Sequence, residues 1–236
     1  MIVRHECVGT RGPATPWRIA HLSDFHIWFS QAKLRAIESA LAQWNPDFVA
    51  MTGDYADTPW GRRLFARWLR RMSDRWTVGW IAGNHDRWLG GRVLRDLTTI
   101  PNAHCVDIGD LRIPGPDGMT YRITTWDRGR AIRQPPPPPS PPGHSHRTIA
   151  LCHDPQPFDP SDAPGIDLAL AGHLHGGQIV LGRDANGRAL PGAWLYRWCL
   201  DRLDWNEGSL IVSRGLGDTF PLRINCPQEI VIIDLW

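Results

Sequence analysis

The chain has 236 residues, a length that suits one large domain. Its net charge is only +2 and it has no extended basic tract, so we do not expect a nucleic-acid partner. Its five cysteines form no CxxC pair, which argues against a disulfide framework and favours a reducing compartment. Residues 1–10 lack an apolar signal core, and no run of about 18 apolar residues follows, so we expect a cytoplasmic protein without a membrane span.

The first part of the chain alternates apolar strand-like runs with segments of helical spacing. Leu34, Ile37 and Leu41, for example, share one face of a predicted helix. Such alternation predicts βαβ units and a mostly parallel sheet. The predicted elements here are strands at 17–22, 47–52 and 77–82 and helices at 31–44, 61–76 and 87–97.

After Pro101 the pattern changes to short strands with few helices between them, which indicates a second sheet packed on the first within a single domain, 1–236. These strands are predicted in pieces within 106–125 and then at 148–152, 166–171, 178–181, 209–213 and 229–235. Residues 134–143 contain five consecutive prolines and must be extended, so we predict an exposed loop inserted between two strands, with binding of a recognition module as the alternative.

Side chains of metal-ligand type follow five of the predicted strands. Because open α/β sheets collect their chemistry at the carboxyl ends of strands, these residues are expected to meet. They are Asp24 and His26; Asp54; Asn84, with His85 beside it; His153; and His173 and His175.

Taken singly, a buried histidine is more often part of a core, and an aspartate after a strand more often caps a helix. All five strand ends together indicate a two-metal phosphoesterase with one bridging carboxylate. Nitrogen and oxygen donors without a thiolate suit Mn, Fe, Zn or Co better than Mg.

The ordered motifs resemble the calcineurin-like metallophosphoesterase superfamily. They are Asp24-x-His26, Gly53-Asp54, Gly83-Asn84-His85-Asp86, His153 and Gly172-His173-x-His175. With residues 22–26, 172–178 and 213–227, the chain looks like a bacterial phosphodiesterase-like subgroup, often membrane-associated and related to UDP-2,3-diacylglucosamine pyrophosphatases. The resemblance implies an α/β fold, a four-layer α/β/β/α sandwich of two mixed sheets flanked by helices, with the site at one edge of the sheets.

The resemblance also implies a role for each residue. Asp24, His26 and His175 would hold one metal ion; Asn84, His153 and His173 would hold the other, and Asp54 would bridge them. His85 would be no ligand but would face the substrate, and it is the histidine of the set left to protonate the leaving oxygen. Two divalent transition-metal ions, manganese before Fe, Zn or Co, would activate a hydroxide that attacks a phosphoester or phosphoanhydride.

Two groups of arginines leave alternatives open. Arg214 and Arg223 are candidates for binding a second phosphate or for ordinary surface solvation. Residues 60–76 form a basic amphipathic segment with six arginines and one aspartate, a net charge of +5. Its apolar side can pack on the sheet or lie in a bilayer interface, and its arginines can in either case draw the protein to anionic lipid at the inner membrane face.

The function expected from these patterns is a dinuclear phosphodiesterase or pyrophosphatase that acts, as a monomer, on a phosphate-ester substrate. One alternative is a catalytically inactive phosphoesterase fold used as a binding scaffold, which loss of the bridging aspartate or of the Asn84-His85 pair would mark. Within enzymes, the alternative is a nucleotide phosphodiesterase rather than a lipid-linked pyrophosphatase.

Overall fold

The computed structural model describes residues 1–12, 15–88, 92–116, 118–126, 146–218 and 221–236, without the side chains at 92, 93 and 95. The Pro-rich loop predicted at 134–143 lies outside the described residues. Two six-stranded sheets and a two-stranded hairpin make up the β-structure of these ranges.

The first sheet is mixed. Its strands, in spatial order, are β1 (Ile2–Val8), β14 (Glu229–Leu235), β2 (Trp17–Leu22), β3 (Phe48–Met51), β4 (Thr77–Trp80) and β5 (Ala103–Cys105). Strands β2 to β5 are parallel, as the alternation of strands and helices predicts, and β14 runs antiparallel to β2. The edge strand β1, which pairs parallel with β14, was not predicted.

The second sheet is also mixed, with a parallel centre and one antiparallel pair at each edge. Its strands, in spatial order, are β12 (Arg202–Trp205), β13 (Gly208–Val212), β9 (Leu168–Ala171), β8 (His146–Leu151), β7 (Thr120–Thr125) and β6 (Leu111–Pro114). The hairpin consists of β10 (Val180–Arg183) and β11 (Ala189–Pro191).

Helices α1 (Ala32–Trp44), α2 (Pro59–Ser73) and α4 (Arg92–Thr98) cover the outer face of the first sheet. Helix α2 begins two residues before the predicted boundary, because the Thr58 hydroxyl accepts the N–H of Gly61 and Pro59 occupies the first turn. The helix predicted at 87–97 was wrong in its start, because α3 (Asn84–Trp88) already contains Asn84 and His85; the described helical residues after it are those of α4.

Three apolar layers hold these parts together. One lies between the first sheet and its helices, and a second lies between the two sheets, where Ile19 and Val231 share a cluster with Ile149. The third covers the outer face of the second sheet, and in the described residues it is built from loops and a short 3-10 helix at Pro160–Asp162 around Phe158. The mixed α/β sandwich is thus confirmed, but its fourth layer is not α-helical in the described part of the chain.

The strand directions bring the predicted site residues to one edge of the sandwich. Parallel strands β2, β3 and β4 of the first sheet and β8 and β9 of the second all end there. Backbone hydrogen bonds tie the loops that follow, from the Asp24 N–H to the Gly53 carbonyl and from the Gly172 N–H to the His153 carbonyl, both at 3.0 Å. Among the described helices, none has the length and apolar character needed to cross a bilayer.

Candidate metal centre

The ligand atoms of the predicted site converge into three overlapping groups, within each of which they lie no more than 4.8 Å apart. The groups are Asp24, His26 and His175; His26, Asp54 and His85; and Asp54, His153 and His173. Asn84 joins them, because its Oδ1 lies 2.8 Å from Nε2 of His153. The structure therefore brings together all seven residues predicted as ligands, with His85 beside them.

Asp54 lies between the two predicted ligand sets. Its Oδ2 is 3.8 Å from Nε2 of His26 and 3.3 Å from Nε2 of His153, one histidine from each ligand set. Its Oδ1 accepts the backbone N–H of His85 at 2.9 Å, which fixes the orientation of the carboxylate. This is the placement that a bridging carboxylate requires.

Hydrogen bonds set the ring orientation of three histidines. Nδ1 of His26 contacts the Asp57 carboxylate at 3.0 Å, Nδ1 of His153 contacts the Thr52 carbonyl at 2.7 Å, and Nδ1 of His175 contacts the Gly217 carbonyl at 3.1 Å. Because carboxylate and carbonyl oxygens only accept, each Nδ1 carries the proton. Each ring is thereby turned to present Nε2 to the other ligands, as metal-binding histidines do.

Nitrogen atoms of neighbouring histidines meet at short range inside the site. Nε2 of His26 lies 3.3 Å from Nε2 of His175, and Nδ1 of His173 lies 3.2 Å from Nε2 of His153. A cation held between the nitrogen atoms of each pair, beside the buried carboxylate of Asp24, would be coordinated by both of them. The residues present therefore fit divalent metal ions with mixed nitrogen and oxygen ligands.

Strained backbone supports the same interpretation. Five of the seven predicted ligands have positive φ angles, a conformation that costs a non-glycine residue about 1–3 kcal/mol and that clusters at functional sites. They are Asp24 (52°), His26 (45°), Asp54 (56°), His173 (71°) and His175 (49°). Gly83 allows the loops to meet, because a Cβ atom at this position would collide with Asp54.

The charges of the site favour a cation between its histidines. Burial alone would raise the pKa of Asp54, but the hydrogen bond and charge of His153, with the charge of His26, lower this pKa to about 2. Burial alone would lower the pKa of His153, but Asp54 and Asp24 raise it to about 9. The buried carboxylates thus stabilise positive charge at the position where a metal ion would bind.

Two aspartates outside the predicted set of site residues support the site. Asp86 accepts the N–H groups of Gly83, Asp54 and Tyr55 at 2.8–3.0 Å and so holds the Asp54 loop, although burial, the largest influence, raises its pKa to about 6. Asp57 accepts from Nδ1 of both His26 and His85. Burial would raise the pKa of Asp57, but the hydrogen bond from His26 and the charges of both histidines lower it.

Arg214 and Arg223 are both engaged by carboxylates. Two nitrogen atoms of Arg214 donate to the Asp201 carboxylate at 2.8–2.9 Å, which raises the pKa of the guanidinium. Arg223 donates to Asp218 and, at 2.7 Å, to the Gly217 carbonyl that also accepts from His175. Binding of a second phosphate by these arginines stays a prediction.

Comparisons with a family model and with known proteins agree on one protein family. The model of the calcineurin-like phosphoesterases matches residues 18–177. The chain is 26% identical to phosphodiesterase YaeI of Escherichia coli, over 99% of this chain and 87% of that protein. It is 29% identical to metallophosphoesterase YkuE of Bacillus subtilis, over 92% of this chain and 76% of that protein.

Solved structures share the fold. A dimetal phosphatase from Danio rerio superposes with a TM-score of 0.51 at 13% identity, over 94% of this chain and 93% of that one. A protein from Thermus thermophilus superposes with a TM-score of 0.52 at 12% identity, over 86% and 91%. At such identity these matches show the architecture, and the site rests on the residues described above.

Proposed function

Because this chain belongs to the calcineurin-like phosphoesterase family and is a metal-dependent phosphoester hydrolase, we propose that it hydrolyses phosphodiesters with two divalent transition-metal ions, manganese first among them. The observation that carries this proposal is the position of Asp54 Oδ2 between His26 and His153. Asp24, His26 and His175 would hold one ion, and Asn84, His153 and His173 the other.

Divalent ions bound there supply two effects, a lowered pKa of water and compensation of the charge on the phosphoryl oxygens. The protein's own contribution is to hold the donors in place through Thr52, Asp57 and Gly217, which accept from the histidine rings. Asp54, with a pKa of about 2, stays ionised across the physiological range and can bridge both ions.

His85 is assigned the proton transfer to the leaving oxygen. Its Nδ1 donates to Asp57 at 2.9 Å, which leaves Nε2, on the far side of the ring, as the nitrogen for proton transfer. The ring is edge-on to that of His26, with centroids 4.8 Å apart, so it lies within reach of a phosphoryl group held at the centre. The alternative of an inactive scaffold has little support, because every expected ligand position is filled and the side chains converge.

A diester is favoured over a pyrophosphate for two reasons. One relative along nearly the whole chain is named a phosphodiesterase. The two arginines considered for a second phosphate are instead paired with Asp201 and Asp218. Cleavage of a phosphoanhydride, including a lipid-linked one, remains the second prediction for the same centre.

The test is hydrolysis of bis(nitrophenyl) phosphate and of nitrophenyl phosphate by protein stripped with a chelator and reloaded with Mn²⁺, Zn²⁺ or Mg²⁺. We expect diester cleavage only after reloading, and loss of nearly all activity with loss of bound metal in Asp54→Ala. Cleavage of the monoester alone, or full activity of Asp54→Ala, would contradict the proposal.

A further inference from the structure

A cleft of about 570 Å³ opens beside the metal centre, along Asn84, His153 and His173. That volume suits a substituent as large as a nucleoside. Among the described residues that line it are two tryptophans, Trp88 and Trp126. Through Trp88 the cleft reaches the ring of His85, but the ligand atom of His85 lies within 4.8 Å of those of His26 and Asp54, whereas the cleft itself runs along Asn84, His153 and His173.

Trp126 forms a fixed wall. It follows β7 directly, and its ring meets that of Phe158 edge-on, with centroids 5.3 Å apart. Phe158 is fully buried and packs in turn against Trp205 at 5.5 Å, while its carbonyl accepts the indole N–H of Trp198 at 2.9 Å. This packing holds the Trp126 indole in place before any ligand arrives, so little order is lost on binding.

Trp88 is exposed. It is the last residue of α3, it is 76% accessible, and its ring is tilted by 32° against that of His85, with centroids 5.3 Å apart. A large indole open to solvent at the mouth of a cleft beside a catalytic centre is typical of a ligand-binding surface. The two indoles therefore offer aromatic surface to one cavity.

We propose that this cleft binds a planar aromatic group, such as a nucleobase, on the ester that the phosphate retains after cleavage. The inference rests on the proposed phosphodiesterase function and names the class of substrate. Indole faces stack on a flat ring of any substitution. Arg87, Thr125 and Asp154 also line the cleft, and such polar groups suit the edge of a heterocycle, whereas an alkyl chain would leave them facing hydrocarbon.

The choice of the retained ester follows from the position of His85. A leaving oxygen protonated by His85 points toward that ring, which lies with His26 and Asp54. The other ester of a phosphate held at the centre then extends along Asn84, His153 and His173, which line the cleft. A monoester product with the aromatic group is accordingly expected to bind as well.

The experiment compares three diesters with the same nitrophenol leaving group and a methyl, an octyl or a 5′-thymidyl group as the second ester. We expect kcat/KM for the thymidyl ester to exceed that for the methyl ester by about tenfold or more. Trp88→Ala and Trp126→Leu should lower kcat/KM for the thymidyl ester by roughly 5- to 100-fold, through KM, and lower that for the methyl ester much less. Trp194→Ala removes an exposed indole outside the lining and serves as the control, with all three substrates unaffected.

Equal losses for the methyl and thymidyl esters, or a preference for the octyl ester, would overturn the assignment while leaving the diesterase in place. If the metal-loaded protein cleaves none of the three, the proposed function fails instead. Calorimetric measurement of the binding of thymidine 5′-monophosphate and of methyl phosphate then decides whether the cleft binds the aromatic group. Tighter binding of the nucleotide that is lost in Trp88→Ala supports it, and equal binding of the two ligands excludes it.

Discussion

The carboxylate of Asp57 lies 2.9 Å from Nδ1 of His85. The same carboxylate contacts Nδ1 of His26 at 3.0 Å and accepts the indole N–H of Trp28 at 2.8 Å. One acidic side chain thus orients both a predicted metal ligand and the proposed proton donor. Because the two rings share this acceptor, the position of one depends on the position of the other.

Asp57→Asn is expected to weaken metal binding and to slow turnover. Nδ1 of His26 and of His85 both reach Oδ1 of Asp57, while Oδ2 accepts from Trp28 and also contacts His26. An amide has one acceptor oxygen where the carboxylate has two, so its NH₂ group cannot replace the second acceptor. Removal of such a supporting contact typically costs about 10- to 100-fold in metal affinity or activity. Titration of chelated protein with Mn²⁺ measures the affinity, and Asp159→Asn, at the partly exposed N-cap of a 3-10 helix, is the control. Unchanged affinity and turnover would show that Asp57 does not support the site.

His85→Ala is expected to keep both metal ions and to lose turnover by roughly 10²-fold or more for diesters with alcohol leaving groups. The loss should be smaller for nitrophenyl esters, because nitrophenolate leaves without a proton. Elemental analysis and kinetics on both substrate types test this together. A variant that loses metal would show that His85 is a ligand, and an equal loss on both substrate types would show that it does not donate the proton.

His21 gives the stability a specific dependence on pH. It is fully buried, with Nε2 2.9 Å from the Thr52 hydroxyl, and burial lowers its pKa to about 3. Between pH 6.5, the ordinary value, and about 3, the unfolded chain binds a proton that the folded chain does not. This residue's contribution to the free energy of unfolding therefore falls as the pH decreases below about 6.5, by at most about 1.4 kcal/mol per pH unit.

Urea unfolding of chelated protein at pH 7.5, 6 and 5 measures this slope. His21→Gln should unfold with a shallower pH dependence than the wild-type protein, since glutamine does not titrate in this range. His104→Gln, which changes an exposed histidine, should leave the slope as it is. Equal slopes for His21→Gln and the wild type would assign the acid sensitivity to other groups.

The convergence of the predicted ligands could be foreseen because each stands within four residues of the end of a strand whose apolar run is visible in the sequence. Asp54 after β3 and His153 after β8 are examples, and the parallel strands carry them to one edge. Asp57 could not be identified in this way. It stands just before Thr58 and Pro59, where it looks like part of a helix start, and its role depends on His26, 31 residues away along the chain.

One strand of the fold could not be predicted from the local sequence either. Strand β1 is an edge strand whose residues Arg4, His5 and Glu6 hide the apolar pattern. It is held by contacts with the distant end of the chain, where Arg4 donates to the buried Glu229 at 2.9 Å. Arg214 likewise looked available for phosphate from its position after a strand, but Asp201 occupies its guanidinium. Long-range polar pairs of this kind have no local sequence signal.

The packing of helix α2 excludes one of the two predicted modes of membrane contact. Its apolar residues, among them Phe65 and Trp68, are buried in the core between helices and sheet, so this face is not available to a bilayer. The arginines at 63, 67, 70, 71 and 75 are exposed, and only Arg71 of these has a described ion pair, with Glu38 at 3.3 Å. We therefore expect these arginines to adsorb electrostatically to an anionic membrane surface, and we no longer expect the apolar face of α2 to insert into the bilayer.

Peripheral, salt-reversible binding to anionic vesicles is the expected outcome, since each arginine near such a surface contributes about 1 kcal/mol and the attraction falls within a Debye length. Cosedimentation at low and high salt measures it. Arg67→Gln/Arg70→Gln should weaken binding at low salt, whereas Arg112→Gln/Arg197→Gln removes the same charge away from α2 and should not. No sedimentation at low salt would leave the enzyme without this membrane contact. Equal weakening by both double variants would attribute binding to net charge rather than to the face of α2, because only the first pair lies on that helix.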